Sequence, residues 1–248
     1  MEKLSASNLS LGVLKDYKKK TLTVRILIPT LNEEKNLKVI LRELKDLGYF
    51  DVLVIDGKSI DKTIEVAMLG GANAVVQNGR GKGAAVRQAL TKYCKDVDAV
   101  IMMDADGSMN PNEIPRFIKS LDSGADVVKG SRFRNGGYTY DMTLLRRIGN
   151  TIFTTIFNFL YTARHTDLCY GYIGFSKHAI EIIGPRLKAN GFEIETELLI
   201  EAEKAGLKVA EVPSTEFLRR NGNSNLRTFK DGKRILKTLF KGITKRNS

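Results

Sequence analysis

Short apolar runs rich in β-branched residues alternate along the chain with segments whose apolar positions recur at helical spacing. This alternation is typical of a parallel sheet covered by helices. The pattern predicts strands at residues 22–28, 51–55, 73–77, 98–103, 125–129 and 207–212. It predicts helices at residues 33–47, 61–69, 83–95, 112–123, 144–161, 195–205 and 228–243, and a polar loop at 130–141. We therefore predict an α/β fold with a mostly parallel central sheet flanked by helices.

The predicted helix at 144–161 has an apolar face made of Ile148, Ile152, Thr155, Ile156, Phe159 and Leu160. Such a face predicts packing against the core or a partner, or contact with a lipid surface. Gly149, Asn150 and Asn158 interrupt the apolar stretch, and no stretch of the chain reaches the ~20 apolar residues needed to cross a bilayer. We expect any membrane contact to lie at the surface.

Composition places the chain among folded globular proteins, with 248 residues, of which 42% are hydrophobic and 27% charged. Forty Lys and Arg against 28 Asp and Glu give a net charge of +12, which favours an anionic partner: nucleic acid, anionic lipid or a phosphorylated small molecule. Cys94 and Cys169 form no metal-binding spacing, and the first 20 residues do not resemble a secretory signal. We expect a cytoplasmic protein.

Polar segments follow four predicted strands, at residues 29–34, 56–63, 78–83 and 104–108. Ligands of open α/β sheets bind beyond the carboxyl ends of the strands, so these segments are candidates for one site. Asp104 and Asp106 leave a hydrophobic strand two residues apart, where a hard cation such as Mg²⁺ or Mn²⁺ would relieve their repulsion. An Asp-rich turn without a metal is the alternative.

The segment at 78–83 is basic and rich in glycine, which suits a close approach to phosphate. It lacks the GxxxxGK[ST] spacing of a Walker loop, and no GxGxxG follows the first strand. Phosphate binding here is therefore predicted without either of those standard motifs.

With these features in place, the chain resembles a family 2 inverting glycosyltransferase of the GT-A fold, close to the dolichyl- or polyprenyl-phosphate hexose synthases. The resemblance runs from about residue 24 to 226. It rests on IPTLNEE (28–34), VIDGKSIDKT (54–63), GKGAAV (81–86), MDADGS (103–108), GSRF (130–133), DLCYGY (167–172), FEIETEL (192–198) and VPSTEFLRRNGNSNL (212–226).

The resemblance implies a role for each matching position. Asp104 and Asp106 would bind a divalent metal, Mg²⁺ or Mn²⁺, together with Ser108. Arg132, Arg147 and Arg219 would bind donor or acceptor phosphates. The implied substrate-binding residues are Pro29, Asn32, Glu33, Asp56, Lys82, Asp167, Glu195, Glu197 and Ser224.

Two departures from the family pattern limit what carries over. Many relatives have a second acidic residue where this chain has Gly57, so the preference for uridine or guanosine does not carry over. Ile173 stands where many relatives have a polar or basic residue, which weakens any inference about sugar recognition there.

The implied reaction transfers a hexose from GDP-mannose or UDP-glucose to a polyprenyl phosphate, with inversion. The acceptor phosphate is already an anion, so no general base is needed. A related enzyme acting on a sugar hydroxyl would need a carboxylate base, such as Asp167 or a residue of 193–197. A nucleotidyltransferase is the other alternative, and it would release pyrophosphate.

The C-terminal segment from Arg219 holds ten basic residues and one acidic residue, with apolar positions between them. This favours an anionic membrane surface, and we expect a peripheral protein on the cytoplasmic face. A nucleic-acid-binding module is disfavoured because no recognition helix is evident, and an acidic pair in the centre of a positive surface would be unusual for such a module. The predicted organisation is an N-terminal extension (1–21), a GT-A domain (22–226) and a basic amphipathic helix (227–248).

Overall fold

The computed structural model describes residues 22–223 and 226–244. Nine strands lie in this part of the chain: β1 Val24–Thr30, β2 Val52–Asp56, β3 Asn73–Val76, β4 Ala99–Met102, β5 Val127–Ser131, β6 Tyr138–Thr139, β7 Ile173–Ser176, β8 Val209–Pro213 and β9 Thr215–Glu216. The eight α-helices described are α1 Glu34–Asp46, α2 Thr63–Leu69, α3 Lys82–Lys92, α4 Ile114–Asp122, α5 Leu144–Tyr161, α6 Lys177–Ile183, α7 Ile194–Lys204 and α8 Thr228–Thr244.

Seven strands form the central sheet in the order β3-β2-β1-β4-β7-β5-β8. All neighbouring pairs are parallel except those of β7, which runs antiparallel to both β4 and β5. The mostly parallel sheet predicted from the sequence is confirmed. Because β7 is antiparallel, the segment that leads into it lies at the carboxyl edge of the parallel strands, beside the end of β4.

The helices cover both faces of the sheet, and each face has its own hydrophobic core. Alternation along β1 shows why: Ile26 and Ile28 pack on one side and Leu27 on the other, all fully buried. Helices α1, α2 and α4 cover the first face, and α3, α5, α6, α7 and α8 the second. Within residues 22–223 and 226–244, no helix is long and apolar enough to cross a bilayer.

Strand β7 and helix α6 are absent from the sequence prediction. Gly174 lies in the middle of a four-residue strand, and glycine weakens a strand signal. The structure explains the glycine, because a Cβ there would lie 3.0 Å from Cδ1 of Ile101 on β4. The predicted polar loop at 130–141 also needs correction: β5 continues to Ser131, where it pairs with Pro213 of β8, and β6 lies within the remainder.

The buried face of α5 differs from its predicted apolar face. Asn150, Thr154, Phe157 and Tyr161 are the buried residues, whereas half or more of Ile152 and Phe159 is exposed. The predicted packing of the apolar face against the core is therefore observed only for Ile156 and Leu160, which are partly buried there. Polar side chains hold the helix to the segment at 165–169. An exposed apolar face remains.

Helix α8 packs against α5 and α7 through two of its apolar residues. Ile235 and Leu239 are buried in the core, and the Tyr161 hydroxyl donates to the Leu239 carbonyl at 2.9 Å. Leu236 and Phe240 stay exposed between basic residues. The helix therefore packs onto the α/β fold while keeping an apolar, cationic outer surface.

His165 connects the segment before β7 to α7 and to the edge strand β8, because its Nε2 lies 2.8 Å from Glu203 and its Nδ1 3.7 Å from Glu211. Burial lowers the pKa of His165, but these two carboxylates outweigh burial and raise it above 6.5. The resulting stability is complete below the pKa of about 6.5 in the unfolded chain and is lost as pH rises through the higher folded value. We expect the unfolding free energy to fall as pH rises above about 6.5, and His165→Gln to flatten that slope. Urea unfolding across this pH range measures it, and equal slopes would contradict the prediction.

Candidate functional site

A cavity of about 670 Å³ opens at the carboxyl ends of the parallel strands. Its wall includes Pro29 after β1, Gly57 after β2, Gln77 after β3, and Asp104 and Asp106 after β4. Four polar segments predicted to meet here, at 29–34, 56–63, 78–83 and 104–108, each contribute to this wall. The predicted convergence is thus observed.

Lys82 forms the centre of a charge cluster with Asp104 and Glu195. Lys82, the first residue of α3, places its Nζ 2.5 Å from Oδ1 of Asp104 and 2.6 Å from Oε1 of Glu195. Burial lowers the pKa of Lys82, but the two carboxylates outweigh burial and raise it above its usual range. Lys82 therefore stays charged at the inner end of the cavity.

Asp106 lies at the tight turn that follows. Its Oδ1 accepts a hydrogen bond from the Ser108 amide at 3.0 Å, and Nη1 of Arg219 lies 3.3 Å from its Oδ2. Arg219 also forms an ion pair with Glu33, whose pKa is raised by burial. Three predicted residues, Glu33, Asp106 and Arg219, are thus brought together although they are far apart in the sequence.

Asp104 and Asp106 can hold a divalent cation. Both line the cavity and are partly exposed, and each now neutralises a side-chain cation. No cluster of three or more His, Cys, Asp or Glu suited to a metal occurs in residues 22–223 and 226–244. Mg²⁺ is commonly bound by one or two carboxylates plus substrate phosphates and water, so the pair fits a cation that arrives with a diphosphate.

Arg132 is buried and its donors are engaged by protein groups. It makes a two-point contact with Asp167 at 2.7 and 2.9 Å, bonds Glu216 at 3.0 Å, and stacks 4.6 Å over the Tyr170 ring. Burial raises the pKa of Asp167, but the larger opposing effect of Arg132 brings it below its usual value, so this carboxylate stays ionised. Arg132 reaches the cavity wall while Asp167 is fully buried behind it. Their binding of substrate stays a prediction.

Asp56 and Asn32 shape the loops that carry the wall. The amides of Lys58 and Ser59 donate to Oδ2 of Asp56, both at 2.8 Å. Asn32, at φ 56°, accepts from the Ile60 amide at 2.8 Å, which joins the loops after β1 and β2. Asp56 is fully buried, and its predicted contact with the nucleotide stays a prediction.

Two other predicted residues, Glu197 and Arg147, do not line the cavity. Glu197 accepts hydrogen bonds from the amides of Lys188 and Ala189, which fixes the loop before α7. Arg147 is exposed and lies 5.5 Å over the Phe133 ring, whereas Arg146, the residue before it, lines the cavity. Ser224 lies outside the described residues.

Several cavity-lining residues were not predicted from the sequence: Gln77, Asn150, Gly171, Thr196 and Glu216. Gln77 is the last residue of the predicted strand at 73–77, and that position was its only signal in the sequence. Gly171, Thr196 and Glu216 lie within motifs that carry the resemblance but were assigned no role, and Asn150 lies on a helix outside those motifs. Buried Lys129 on β5 was also missed; it donates to the Tyr170 carbonyl, and burial lowers its pKa.

One flank of the same cavity is apolar. It lies between α5 and α8 and is lined by Leu145, Ile148, Ile152, Phe153, Phe229, Ile235 and Leu236. Arg146 and Lys233 lie among them on the two helices. The cavity therefore joins an acidic and cationic inner end to an apolar outer groove, here called the α5–α8 groove.

Comparison with known proteins decides the family. Residues 25–184 match the domain described as glycosyl transferase family 2. The chain belongs to glycosyl transferase family 2. It is 37% identical to glycosyltransferase AglJ of Haloferax volcanii over 222 residues, which cover 88% of this chain and 71% of that protein. It is 30% identical to a dolichyl-phosphate hexose transferase of the same organism, over 87% and 92% of the two chains.

The fold of this family 2 glycosyltransferase is shared with solved structures. Glucosyl-3-phosphoglycerate synthase from Mycobacterium tuberculosis, in complex with Mn²⁺, UDP and glucosyl-3-phosphoglycerate, superimposes with a TM-score of 0.70 at 21% identity. The alignment covers 90% of this chain and 80% of that one. The predicted GT-A fold is therefore confirmed, as is the predicted glycosyltransferase family.

Proposed function

We propose that this family 2 glycosyltransferase transfers a hexose from a nucleotide sugar, GDP-mannose or UDP-glucose, to a polyprenyl phosphate. A phosphate oxygen of the acceptor attacks the anomeric carbon, the bond from that carbon to the diphosphate breaks, and the nucleoside diphosphate leaves with inversion. One observation carries the proposal: a single cavity contains both the Asp104–Asp106 pair and the apolar α5–α8 groove. An acceptor with a charged head and a long apolar chain needs both.

The donor fits along the strand ends. With neighbouring strands about 4.8 Å apart, β3 and β4 are separated by roughly 14 Å, which suits a base near Gln77 and a diphosphate near Asp104. Asp104 and Asp106 would hold Mg²⁺ or Mn²⁺, with Ser108 beside them. When bound, the cation would stabilise negative charge on the leaving diphosphate. Lys82 and Arg219 place positive charge at the same position.

The acceptor phosphate would bind to the positively charged side chains that line the cavity. Arg146, Lys233 and Arg219 all line the cavity, and guanidinium groups bind phosphate through two hydrogen bonds. The anionic acceptor needs no proton removed before it attacks. The chain's task is therefore to bring two anions together, which positive side chains do by offsetting their repulsion.

Transfer to a sugar hydroxyl is less well supported because three of the candidate base carboxylates are engaged by other groups of the protein. Asp167, one candidate, is fully buried and held at two points by Arg132. Glu195 is paired with Lys82, and Glu197 caps backbone amides away from the cavity. A phosphate acceptor needs none of these carboxylates as a general base.

The membrane surface would supply the acceptor. Helix α8 presents Phe240 and Leu236 among basic residues, an arrangement that suits an anionic lipid surface on the cytoplasmic face. The groove opens between this helix and α5, so an isoprenoid chain can enter from lipid without leaving an apolar environment. The protein would thus act as a peripheral enzyme.

The test is transfer of radiolabelled hexose from GDP-mannose, UDP-glucose or UDP-N-acetylglucosamine to a C55 or a C10 prenyl phosphate in detergent. We expect label in the organic phase, and Ile152→Asn should raise KM for the C55 acceptor about tenfold, since it places a polar group in the groove. KM for the C10 acceptor should change little.

Phe159→Asn is the matched control, because Phe159 lies on the same helix, is 84% exposed and does not line the cavity. It should leave both KM values within twofold. Absence of lipid-linked label from every donor would defeat the proposed function, and release of pyrophosphate in place of a nucleoside diphosphate would point to a nucleotidyltransferase.

A further inference from the structure

Three cavity-lining residues have a buried polar atom with no hydrogen-bond partner among the described residues: Gln77 at Oε1, Asn150 at Nδ2 and Thr196 at Oγ1. Gln77 follows β3, at the end of the cavity proposed for the base, whereas Asn150 on α5 and Thr196 on α7 belong to the opposite end. Asn150 and Thr196 are only 4% and 1% exposed. Buried polar groups in proteins are nearly always paired, because an unpaired one loses its bonds to water without compensation. Both atoms therefore point to a ligand that supplies the missing partners.

The chemistry of the two groups is defined by their surroundings. Oδ1 of Asn150 accepts the Cys169 amide at 2.9 Å, which fixes the carboxamide and leaves Nδ2 as an obligatory donor. The Thr196 hydroxyl can both donate and accept. A fixed donor beside a group of either kind matches sugar hydroxyls, which also donate and accept.

Sheet order places these atoms on the sugar side of the diphosphate. β4, which ends two residues before Asp104, lies between β1 and β7, and the segment 169–171 leads into β7. Gly171 lies against Asp104 and Glu195, Cys169 bonds Asn150, and Thr196 follows Glu195 in α7. The unpaired atoms of Asn150 and Thr196 are thus beyond Asp104, on the side away from Gln77. The hexose of a nucleotide sugar is attached to the distal phosphate and extends in this direction.

We propose that Asn150 and Thr196 bind hydroxyl groups of the donor hexose and so contribute to the choice of sugar. This inference rests on the proposed donor. A phosphate is a poorer fit, because both groups are neutral and the nearby charge of Lys82 is already balanced by Asp104 and Glu195.

The test compares the affinity for a nucleotide sugar with the affinity for its nucleoside diphosphate, measured by calorimetry without acceptor. The probes are UDP-glucose, UDP-N-acetylglucosamine and UDP, and GDP-mannose and GDP. Thr196→Val keeps the shape and removes the hydroxyl, and Asn150→Asp keeps Oδ1 but replaces the donor. Each variant should bind UDP or GDP within twofold of wild type. Each should lose about fivefold to twentyfold in affinity for the preferred nucleotide sugar.

Thr154→Val is the matched control. Thr154 lies one turn after Asn150 on the same buried face, but its Oγ1 already accepts the Leu168 amide at 3.2 Å. This variant should lower the melting temperature and leave the sugar-dependent affinity unchanged. Thr196→Val should show the reverse, with a melting temperature equal to or above that of wild type, because it removes an unpaired buried hydroxyl.

Unchanged affinity ratios in both Thr196→Val and Asn150→Asp would overturn the inference and indicate that ordered water pairs with these atoms. Failure of the wild type to bind any of the nucleotide sugars would overturn the inference and the proposed donor together. Failure to transfer hexose to prenyl phosphate, with sugar-dependent binding intact, would defeat only the proposed acceptor, since the binding experiment contains none.

Discussion

Replacing Asp104 with Asn should reduce hexose transfer roughly 10³-fold while leaving the protein folded. A cation bound to a developing anion supplies several kcal/mol of transition-state stabilisation, and about 1.4 kcal/mol corresponds to a factor of ten in rate. Asn has the size of Asp but lacks the charge that would hold the cation. Lys82 would keep Glu195, 2.6 Å away, as its counterion, so the buried ammonium would not be left unpaired.

Asp106→Asn should have a similar effect through a different contact. The amide oxygen can still accept from the Ser108 amide, now at 3.0 Å, so the turn should persist. The charge facing Arg219 would be lost. Initial rates with saturating donor, together with Mn²⁺ binding in the presence of UDP, measure both variants.

Asp96→Asn is the appropriate control for the loss of a paired carboxylate. Asp96 forms an ion pair with Arg25 at 2.8 Å, outside the cavity, and its side chain is 68% exposed. Its removal should leave the rate and Mn²⁺ binding unchanged. Asp104→Asn or Asp106→Asn with more than a tenth of wild-type activity would refute the metal assignment.

The acidic pair could be predicted from the sequence because its signal is local. A hydrophobic strand followed directly by Asp104 and Asp106 places both carboxylates at the edge of the sheet, and the structure has them there. The partners of Arg132 had no such signal. Asp167 and Glu216 lie 35 and 84 residues away in the sequence. They meet Arg132 only because β5 pairs with β7 and β8, and β6 pairs with β9, which contains Glu216.

Asn150 shows a different limit. In the sequence it interrupts an apolar stretch, and the apolar positions around it define a plausible buried face. In the structure Asn150 is buried whereas Ile148 and Ile152 are about half-exposed, because the segment before β7 has backbone amides that need acceptors. Hydrophobic periodicity assumes that apolar residues face the core. A helix beside a ligand cavity and a lipid surface does not satisfy that assumption.

Gly171→Ala should abolish most of the activity without unfolding the protein. A Cβ at this position would lie 2.8 Å from Oε1 of Glu195, 2.8 Å from Nζ of Lys82 and 3.0 Å from Oδ2 of Asp104. Carbon does not approach atoms so closely, so something must move. All three atoms are the ends of flexible side chains, and they can move without any shift of the backbone.

The substitution should therefore lower the catalytic rate and leave the stability of the fold almost unchanged. A displacement of about 1 Å in a catalytic group can cost roughly 10²-fold in rate. One methyl group would displace three such groups together. We expect kcat to fall at least 10²-fold, with an unfolding free energy within about 1 kcal/mol of wild type, since the fold's own contacts are retained. Urea unfolding and initial rates on the same preparation measure the two quantities.

Gly174→Ala, three residues later in β7, provides the opposite case. There the added Cβ would lie 3.0 Å from Cδ1 of Ile101, inside the core and away from the charge cluster. Overpacking of this kind costs about 1–3 kcal/mol of stability, while the rate per folded molecule should be unchanged. If Gly171→Ala instead lost stability and kept its rate, the Lys82–Asp104–Glu195 cluster would be structural, and the assignment of the inner cavity to the donor diphosphate would fail. Gly171→Ala and Gly174→Ala add the same methyl group three residues apart. Comparing their rates and stabilities therefore distinguishes a catalytic role of the charge cluster from a structural one.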